Sequence, residues 1–301
     1  MSPTLEILAP AKLNLSLSIV GRRADGYHLI DSFVGFCSLA DRLEITFTHK
    51  PGRVFFDGPF GKDVKITNTV TEAISAFQAI RDPGLNLSVR VEKNIPVAAG
   101  LGGGSADGAA VLRALRDFAG PISAETLSNI ALSLGADMPA CLASTPLIMR
   151  GIGEHLCALP SLPRVGVVLV NPLLALCTKS VFRDFHGPYS APSKLPAGPL
   201  DAEALFNHLG TRATNDLIRP ATQRLPVITN ILERLATLPG ARTVGMSGSG
   251  ATCFALFPSA NMETVLAAAS AIRSEGFWAS GTELLPGGDP VTQRAMGRYF
   301  D

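Results

Sequence analysis

Pro96-Val-Ala-Ala-Gly-Leu-Gly-Gly-Gly-Ser-Ala-Asp-Gly-Ala-Ala-Val111 runs a glycine cluster straight into a good helix-forming sequence. Gly100, Gly102, Gly103 and Gly104 have no Cβ, so their backbone N–H groups can turn toward a ligand at little steric cost. Ser105 is expected to open a helix whose dipole favours phosphate, and Ala109, Ala110, Val111, Leu112 and Leu115 follow at helical spacing. The pattern departs from the P-loop, Gly-x4-Gly-Lys-Ser/Thr, because Ser105 and Ala106 follow Gly104. Any catalytic lysine must therefore come from elsewhere in the chain. It also departs from a dinucleotide fingerprint, since a proline-containing link and a longer glycine run follow the strand-like segment 85–92. A glycine-rich surface turn is the alternative that this stretch alone leaves open.

Working outward from the loop, strands and helices mix without strict alternation, which predicts an α+β fold rather than a doubly wound parallel sheet. Leu13, Leu15, Leu17 and Ile19 alternate with Asn14, Ser16 and Ser18 as in a strand, and a turn follows at Arg23-Ala-Asp-Gly26. A strand pair is expected at 41–48 and 53–57, a helix at 70–80, a strand at 85–93 and a helix at 123–134. Prolines crowd 160–199, where Ser190-Ala-Pro-Ser-Lys-Leu-Pro-Ala-Gly-Pro199 reads as a loop or linker. The domain boundary is placed near 160, giving domains 1–160 and 161–301. The second should hold helices at 201–209, 215–236 and 261–275 and strands near 165–170, 242–246, 251–257 and 279–284.

With 301 residues the chain can bury a substantial core. A net charge of +1 and only 17% charged residues give no sign of a nucleic-acid surface. Cys37, Cys141, Cys157, Cys177 and Cys253 are scattered and contain no C-x-x-C pair, which argues against a disulfide framework or structural zinc. The first residues show no secretory pattern, and the most apolar run, 165–176, is broken by Asn171 and Pro172. The expectation is a soluble cytoplasmic protein without a membrane or nucleic-acid partner.

Three further features carry chemistry. Gly245-Met-Ser-Gly-Ser-Gly250 is a second glycine cluster, and two such loops in separate halves suggest a ligand clamped between domains. Asp137, in Leu134-Gly-Ala-Asp-Met-Pro139, is well placed to act as a base, although a plain turn aspartate reads the same way. Lys12, in Ala9-Pro-Ala-Lys-Leu-Asn14, has apolar neighbours that make an unpartnered ammonium costly, so it should meet a carboxylate or phosphate unless it is a solvated edge lysine.

The set Pro10-Ala-Lys-Leu-Asn14, Arg22-Arg-Ala-Asp-Gly-Tyr-His28, Pro96 to Ser105, Leu134-Gly-Ala-Asp137 and Ser247-Gly-Ser-Gly250 resembles the GHMP kinases, with the motifs in the expected order from about residue 6 to about 257. The Gly-Tyr-His segment is similar to that of members acting on a cytidine-diphosphate-linked methylerythritol in the non-mevalonate isoprenoid pathway. The Arg-x-Asn-Leu-x-Gly-Glu-His opening of galactokinase-like sequences is absent.

The resemblance implies a two-domain fold with the active site in the cleft, ATP as phosphoryl donor, and Mg²⁺. It places Pro96, Val97, Ala98, Ala99, Gly100, Leu101, Gly102, Gly103, Gly104, Ser105 and Ala106 around the ATP phosphates, with the Ser105 hydroxyl on Mg²⁺ and Asn68 and Lys93 on the adenine side. Asp137 would accept the substrate proton, and Lys12 would keep Asp137 ionised and offset charge on the transferring phosphoryl group. Tyr27 and Phe182 would sandwich the cytosine and His28 would read its edge. Asn14 would contact the polyol, Thr178 the cytidine-diphosphate end, and Gly248, Ser249 and Gly250 the substrate. Taken alone, Tyr27, His28 and Phe182 are ordinary packing residues and Lys93 a solvated lysine. Asp107 stands where relatives often carry asparagine and would repel phosphate unless its orientation or Mg²⁺ compensates. The molecule is expected to be a monomer or weak homodimer. Readings from outside this picture are a kinase of the same family with another alcohol substrate, a non-catalytic nucleotide binder, and a dehydrogenase.

Overall fold

The computed structural model describes residues 3–120, 122–194, 198–211, 213–258 and 261–287. Part of the expected linker (195–197) and the end of the expected second domain (288–301) lie outside the described residues.

The chain builds β1 (Thr4–Asn14), β2 (Ser18–Arg22), β3 (His28–Thr48), β4 (Val54–Asp57), α1 (Thr69–Ile80), β5 (Asn86–Glu92), α2 (Gly103–Ala119), α3 (Ala124–Leu134), α4 (Met138–Ala143), β6 (Leu147–Gly151) and β7 (His155–Ala158). It continues with β8 (Gly166–Asn171), α5 (Thr178–Arg183), α6 (Ala202–Leu209), α7 (Ile218–Arg224), α8 (Val227–Ala236), β9 (Thr243–Met246), β10 (Cys253–Phe257), α9 (Met262–Ser274) and β11 (Trp278–Glu283). Helices and strands mixed without strict alternation confirm the α+β class.

The 21-residue β3 is the spine of the first sheet. One edge carries β1 and then β2 as a single interrupted antiparallel arm, while the other carries β5 against 42–48 and β6 against 30–34. The expected pairing of 41–48 with 53–57 does not form, because β4 lies parallel to β5 instead. The two stretches are neighbours in sequence, but β5 occupies the β3 edge between them.

A bulge between Pro10 and Lys12 changes which side chains share a face of β1. Ile7 and Ala9 pack into the core under the helices, whereas Ala11, Leu13 and Leu15 pack with Val167, Leu169, Phe254 and Leu256 of the second sheet. Lys12 and Asn14 therefore face away from the inter-sheet core, yet both are buried rather than turned to solvent. The strand stops at Leu15–Leu17 because residues 214–216 dock there: the Leu17 N–H donates to the Thr214 carbonyl (2.9 Å) and the Asp216 N–H to the Leu17 carbonyl (3.0 Å).

The second sheet, β11-β8-β10-β9, is antiparallel throughout. Its outer face is covered by Ile228, Ile231 and Leu235 of α8 and Val265, Ala269 and Ile272 of α9. The single helix expected at 215–236 is two, because Pro226 cannot donate a helical N–H and α7 ends before it. The halves also meet at the middle of β3, where the Leu285 N–H donates to the Phe36 carbonyl (2.7 Å) and the Leu39 N–H to the Thr282 hydroxyl (2.8 Å). The expected linker is strapped down on one side: the Ser193 N–H and hydroxyl and the Arg150 guanidinium all donate to the buried Asp31 carboxylate.

Candidate active site

The glycine run adopts the backbone that its composition requires. Gly100 (φ +79°) and Gly102 (φ +63°) lie in the left-handed region, and α2 starts at Gly103, two residues before the expected Ser105. A Cβ on Gly100 would stand 2.6 Å from the Gly250 carbonyl oxygen and 2.8 Å from that of Ser247, so the two glycine loops interlock. The Ser247 hydroxyl donates to the Gly100 carbonyl (2.8 Å) and the Thr252 hydroxyl to that of Ala99 (2.6 Å). Asn215 holds the second loop from behind, its amide donating to the carbonyls of Met246 (2.7 Å) and Gly248 (2.8 Å). The sequence reading missed Ser247, Thr252 and Asn215 as loop supports, and only the serine and threonine flanking the second glycine cluster hinted at them.

Lys12 lies directly under the first loop. Its backbone N–H donates to the Leu101 carbonyl (2.8 Å), and a Cβ on Gly102 would be 3.1 Å from the Lys12 Cβ. The ammonium, 3% exposed, donates to Asp137 Oδ1 (2.8 Å) and Asn14 Oδ1 (2.7 Å). Asn14 passes the network on through its amide to the Ser32 hydroxyl (2.7 Å), which donates to the Ser16 carbonyl (2.6 Å). Asp137 is the N-cap residue of α4, with Pro139 tolerated in the first turn, but its side chain makes no cap bond and turns to Lys12 instead. The Asp137 carboxyl, 36% exposed beside a buried ammonium, is open to a ligand and held in position by Lys12. Lys12, Asn14 and Asp137 thus come together with both glycine loops.

Asn68 caps α1, its amide oxygen accepting from the N–H groups of Val70 and Thr71, and the neighbouring Thr69 hydroxyl donates to the Gly104 carbonyl (2.5 Å). The two together hold the start of α1 against the loop. Lys93 is not a solvated lysine: it is buried beneath Gly103 and donates to Asp41 and to Asp107 (2.7 Å). Burial pushes the Lys93 ammonium toward neutrality, but the Asp107 and Asp41 carboxylates outweigh it and raise its pKa. Asp41 also accepts from the N–H groups of Asn94 (2.6 Å) and Ile95 (2.8 Å). Burial drives the Asp107 carboxyl well above the usual carboxylate range, against the pull of Lys93 and with the push of Asp41. Asp107 therefore points into the protein, bound to Lys93, and does not confront a phosphate in the loop.

His28, at the start of β3, lies 5.7 Å from the Phe182 ring and 5.9 Å, edge-on, from Phe185. Burial and the Arg22 charge lower the His28 pKa, which favours a neutral imidazole able both to donate and to accept. Tyr27 is 62% exposed, an open aromatic face next to this cluster in sequence. Phe185 was missed, although its spacing of three from Phe182 could have found it. Thr178 shares a 2.9 Å hydrogen bond with Ser249, tying the start of α5 to the second loop. All five cysteines are free thiols. Among the described residues no group of three or more His, Cys, Asp or Glu comes together to hold a metal, and no helix is long and apolar enough to cross a membrane.

Residues 68–145 match the family described as GHMP kinases N terminal domain, and residues 201–273 match GHMP kinases C terminal. The 4-diphosphocytidyl-2-C-methyl-D-erythritol kinase of Paramagnetospirillum magneticum is 41% identical over 94% of this chain and 99% of its own. That of Paracoccus denitrificans is 44% identical over 92% and 96%. A crystal structure of 4-(cytidine 5'-diphospho)-2C-methyl-D-erythritol kinase superposes with a TM-score of 0.77 at 35% identity, covering 94% of this chain and 100% of that one. Homoserine kinase from Cytophaga hutchinsonii shares the fold, with a TM-score of 0.68 at 18% identity over 97% of this chain and 98% of its own. The chain belongs to the 4-diphosphocytidyl-2-C-methyl-D-erythritol kinase family of GHMP kinases, and it is a kinase.

Proposed function

We propose that the protein transfers the γ-phosphoryl group of ATP to the 2-hydroxyl of 4-diphosphocytidyl-2-C-methyl-D-erythritol, a step in the non-mevalonate supply of isoprenoid precursors. The observation that carries this reading is the Lys12–Asp137 contact of 2.8 Å beside the interlocked glycine loops. Asp137 takes the proton of the 2-hydroxyl, the freed oxygen bonds the γ-phosphorus, and the bond to the bridging oxygen breaks to release ADP. Lys12 holds the Asp137 carboxyl in place and offsets the charge spreading over the transferring group, in a reaction where positioning and electrostatics supply most of the catalysis.

Gly100 to Ser105 receive the triphosphate through backbone N–H groups and the start of α2. The site suits Mg²⁺ carried by those phosphates: the half-buried Ser105 hydroxyl in the first turn of α2 is a hard oxygen donor of the kind that Mg²⁺ accepts. When bound, Mg²⁺ supplies charge neutralisation on the phosphates. Asn68 and Lys93 serve the nucleotide side by fixing the start of α1 and the floor of the loop.

The cytidine end is read by Tyr27 and Phe182 as stacking faces and by His28 at the base edge, supported by the proximity of His28 to Phe182. Asn14 meets the polyol, while Thr178 and Gly248 to Gly250 line the diphosphate side. The lobe 1–160 then carries the nucleotide loop, Lys12 and Asp137, and the lobe 161–301 carries the second loop, with a cytoplasmic enzyme acting as a monomer or weak homodimer. The test is ADP release with ATP, Mg²⁺ and the cytidine substrate, set beside galactose, homoserine and mevalonate. Turnover with the cytidine compound alone is expected. Turnover with another acceptor overturns the substrate, and silence with all four overturns the kinase reaction.

A further inference from the structure

Arg113, in the middle of α2, is 8% exposed, and its guanidinium donates to two backbone carbonyls. Nη1 donates to the Cys141 carbonyl (2.8 Å) and Nη2 reaches the Leu8 carbonyl (3.5 Å). Leu8 lies on β1, which carries Lys12, and Cys141 lies on α4, which carries Asp137 at its N-cap. One guanidinium therefore touches the strand of Lys12 and the helix of Asp137 from the helix that the glycine loop opens.

α4 spans six residues, too few to hold a helix without outside contacts. The Cys141 carbonyl is among its last four, which a helix end leaves without an intrahelical partner, and a cation there also suits the helix dipole. The other side of Cys141 faces the loop, its Sγ 3.6 Å from the place a Cβ on Gly102 would take. At the opposite end of α4, Asp137 gives no cap bond, so the placement of its carboxylate rests on Lys12 and on the seating of the helix.

We propose that Arg113 is a positioning residue for phosphoryl transfer: by seating α4 against α2 and β1, it sets Asp137 relative to Lys12 and the phosphate loop. The inference rests on Asp137 acting as the base. A displacement of about 1 Å in a reacting group can cost about 100-fold in rate. Arg113→Met keeps the apolar stem and removes the donors, so it lowers kcat about 10- to 100-fold, by that scale, and leaves KM for ATP and for the cytidine substrate within about threefold. Arg113→Lys can still donate to the Cys141 carbonyl and restores kcat to within about threefold of the parent.

The deciding experiment is a double-mutant cycle in the full chain, measuring kcat and both KM values for Arg113→Met, Asp137→Asn and the pair. Because Arg113 acts through Asp137, adding Arg113→Met to Asp137→Asn costs less than about threefold more, the signature of residues working as a unit. Losses that multiply, a rise in KM in place of the fall in kcat, or no rescue by Arg113→Lys overturn the inference. Should Arg113→Met not fold, Arg113→Gln, whose shorter amide falls short of the Cys141 carbonyl, replaces it against Arg113→Lys, and equal kcat in those two overturns the inference. Full turnover in Asp137→Asn removes the base and this inference with it, whereas an inactive Asp137→Asn beside a fully active Arg113→Met removes this inference alone.

Discussion

Replacing Lys12 by methionine isolates its charge from its packing. The hydrocarbon stem stays, and it fills the space where a Cβ on Gly102 would lie 3.1 Å from the Lys12 Cβ and 3.2 Å from its Cε. Two hydrogen bonds go, to Asp137 at 2.8 Å and to Asn14 at 2.7 Å. At that separation a unit pair interacts by about 6 kcal/mol with an effective dielectric near 20 and by about 1.5 kcal/mol in bulk water. Lys12 is buried and Asp137 is about a third exposed, so the true value falls between these limits. A loss of about 3 to 4 kcal/mol of transition-state stabilisation corresponds to a 10²- to 10³-fold fall in kcat. Because the ammonium matters most as charge shifts during transfer, KM for either substrate should change less than about threefold. Steady-state ADP release with both substrates varied separates the two parameters. Lys12→Arg should not restore turnover, since the planar guanidinium is too wide for the space under Gly102. A Lys12→Met enzyme with kcat within threefold of the parent would refute the charge argument, and an equal rise in both KM values would turn Lys12 into a ground-state binding residue.

Tyr27→Ala should raise KM for the cytidine substrate roughly 5- to 100-fold, the scale of one base–aromatic stack, and leave ATP affinity unchanged by calorimetry; equal weakening of both ligands would remove the stacking role. Gly100→Ala places a Cβ 2.6 Å from the Gly250 carbonyl oxygen at φ +79°. It should cost about 2 kcal/mol or more of stability, seen as a lower Tm, with a raised KM for ATP as the loops part. Asp107 has its pKa raised by burial, so the folded state holds its proton more tightly than the unfolded chain does. That contribution is complete below the unfolded value and is lost as pH rises through the folded one. Asp107→Asn should therefore leave Tm nearly unchanged near pH 4 and raise it increasingly toward pH 8; a Tm difference that does not vary with pH would contradict the upward shift of the Asp107 pKa.

Local requirements are what the sequence displayed. The glycine loop was legible because left-handed backbone at Gly100 and Gly102 leaves a mark in composition. α1, α3 and α9 were legible because each buries one face of a helix. Pairing was not legible in the same way: 41–48 and 53–57 lie close in sequence, but strand adjacency is a competition among all available edges, and β5 took the one between them. Nor was the fate of Lys93, since an isolated lysine looks alike whether it is solvated or, as here, bound by Asp41 and Asp107.

The sequence by itself determined the α+β class, the glycine loop and, through its resemblance to the GHMP kinases, the residues of the candidate site. Only the tertiary structure decided how they meet. The bulge before Lys12 turned it and Asn14 away from the inter-sheet core, and the fold brought Asp137 across 125 positions of chain to within 2.8 Å. It also turned Asp107 inward to Lys93 and closed the second glycine loop on the first. Backbone conformation is set by a few neighbouring residues and is written where it occurs. The position and charge of a buried side chain depend on groups far away in sequence, and those distances exist only once the core has packed.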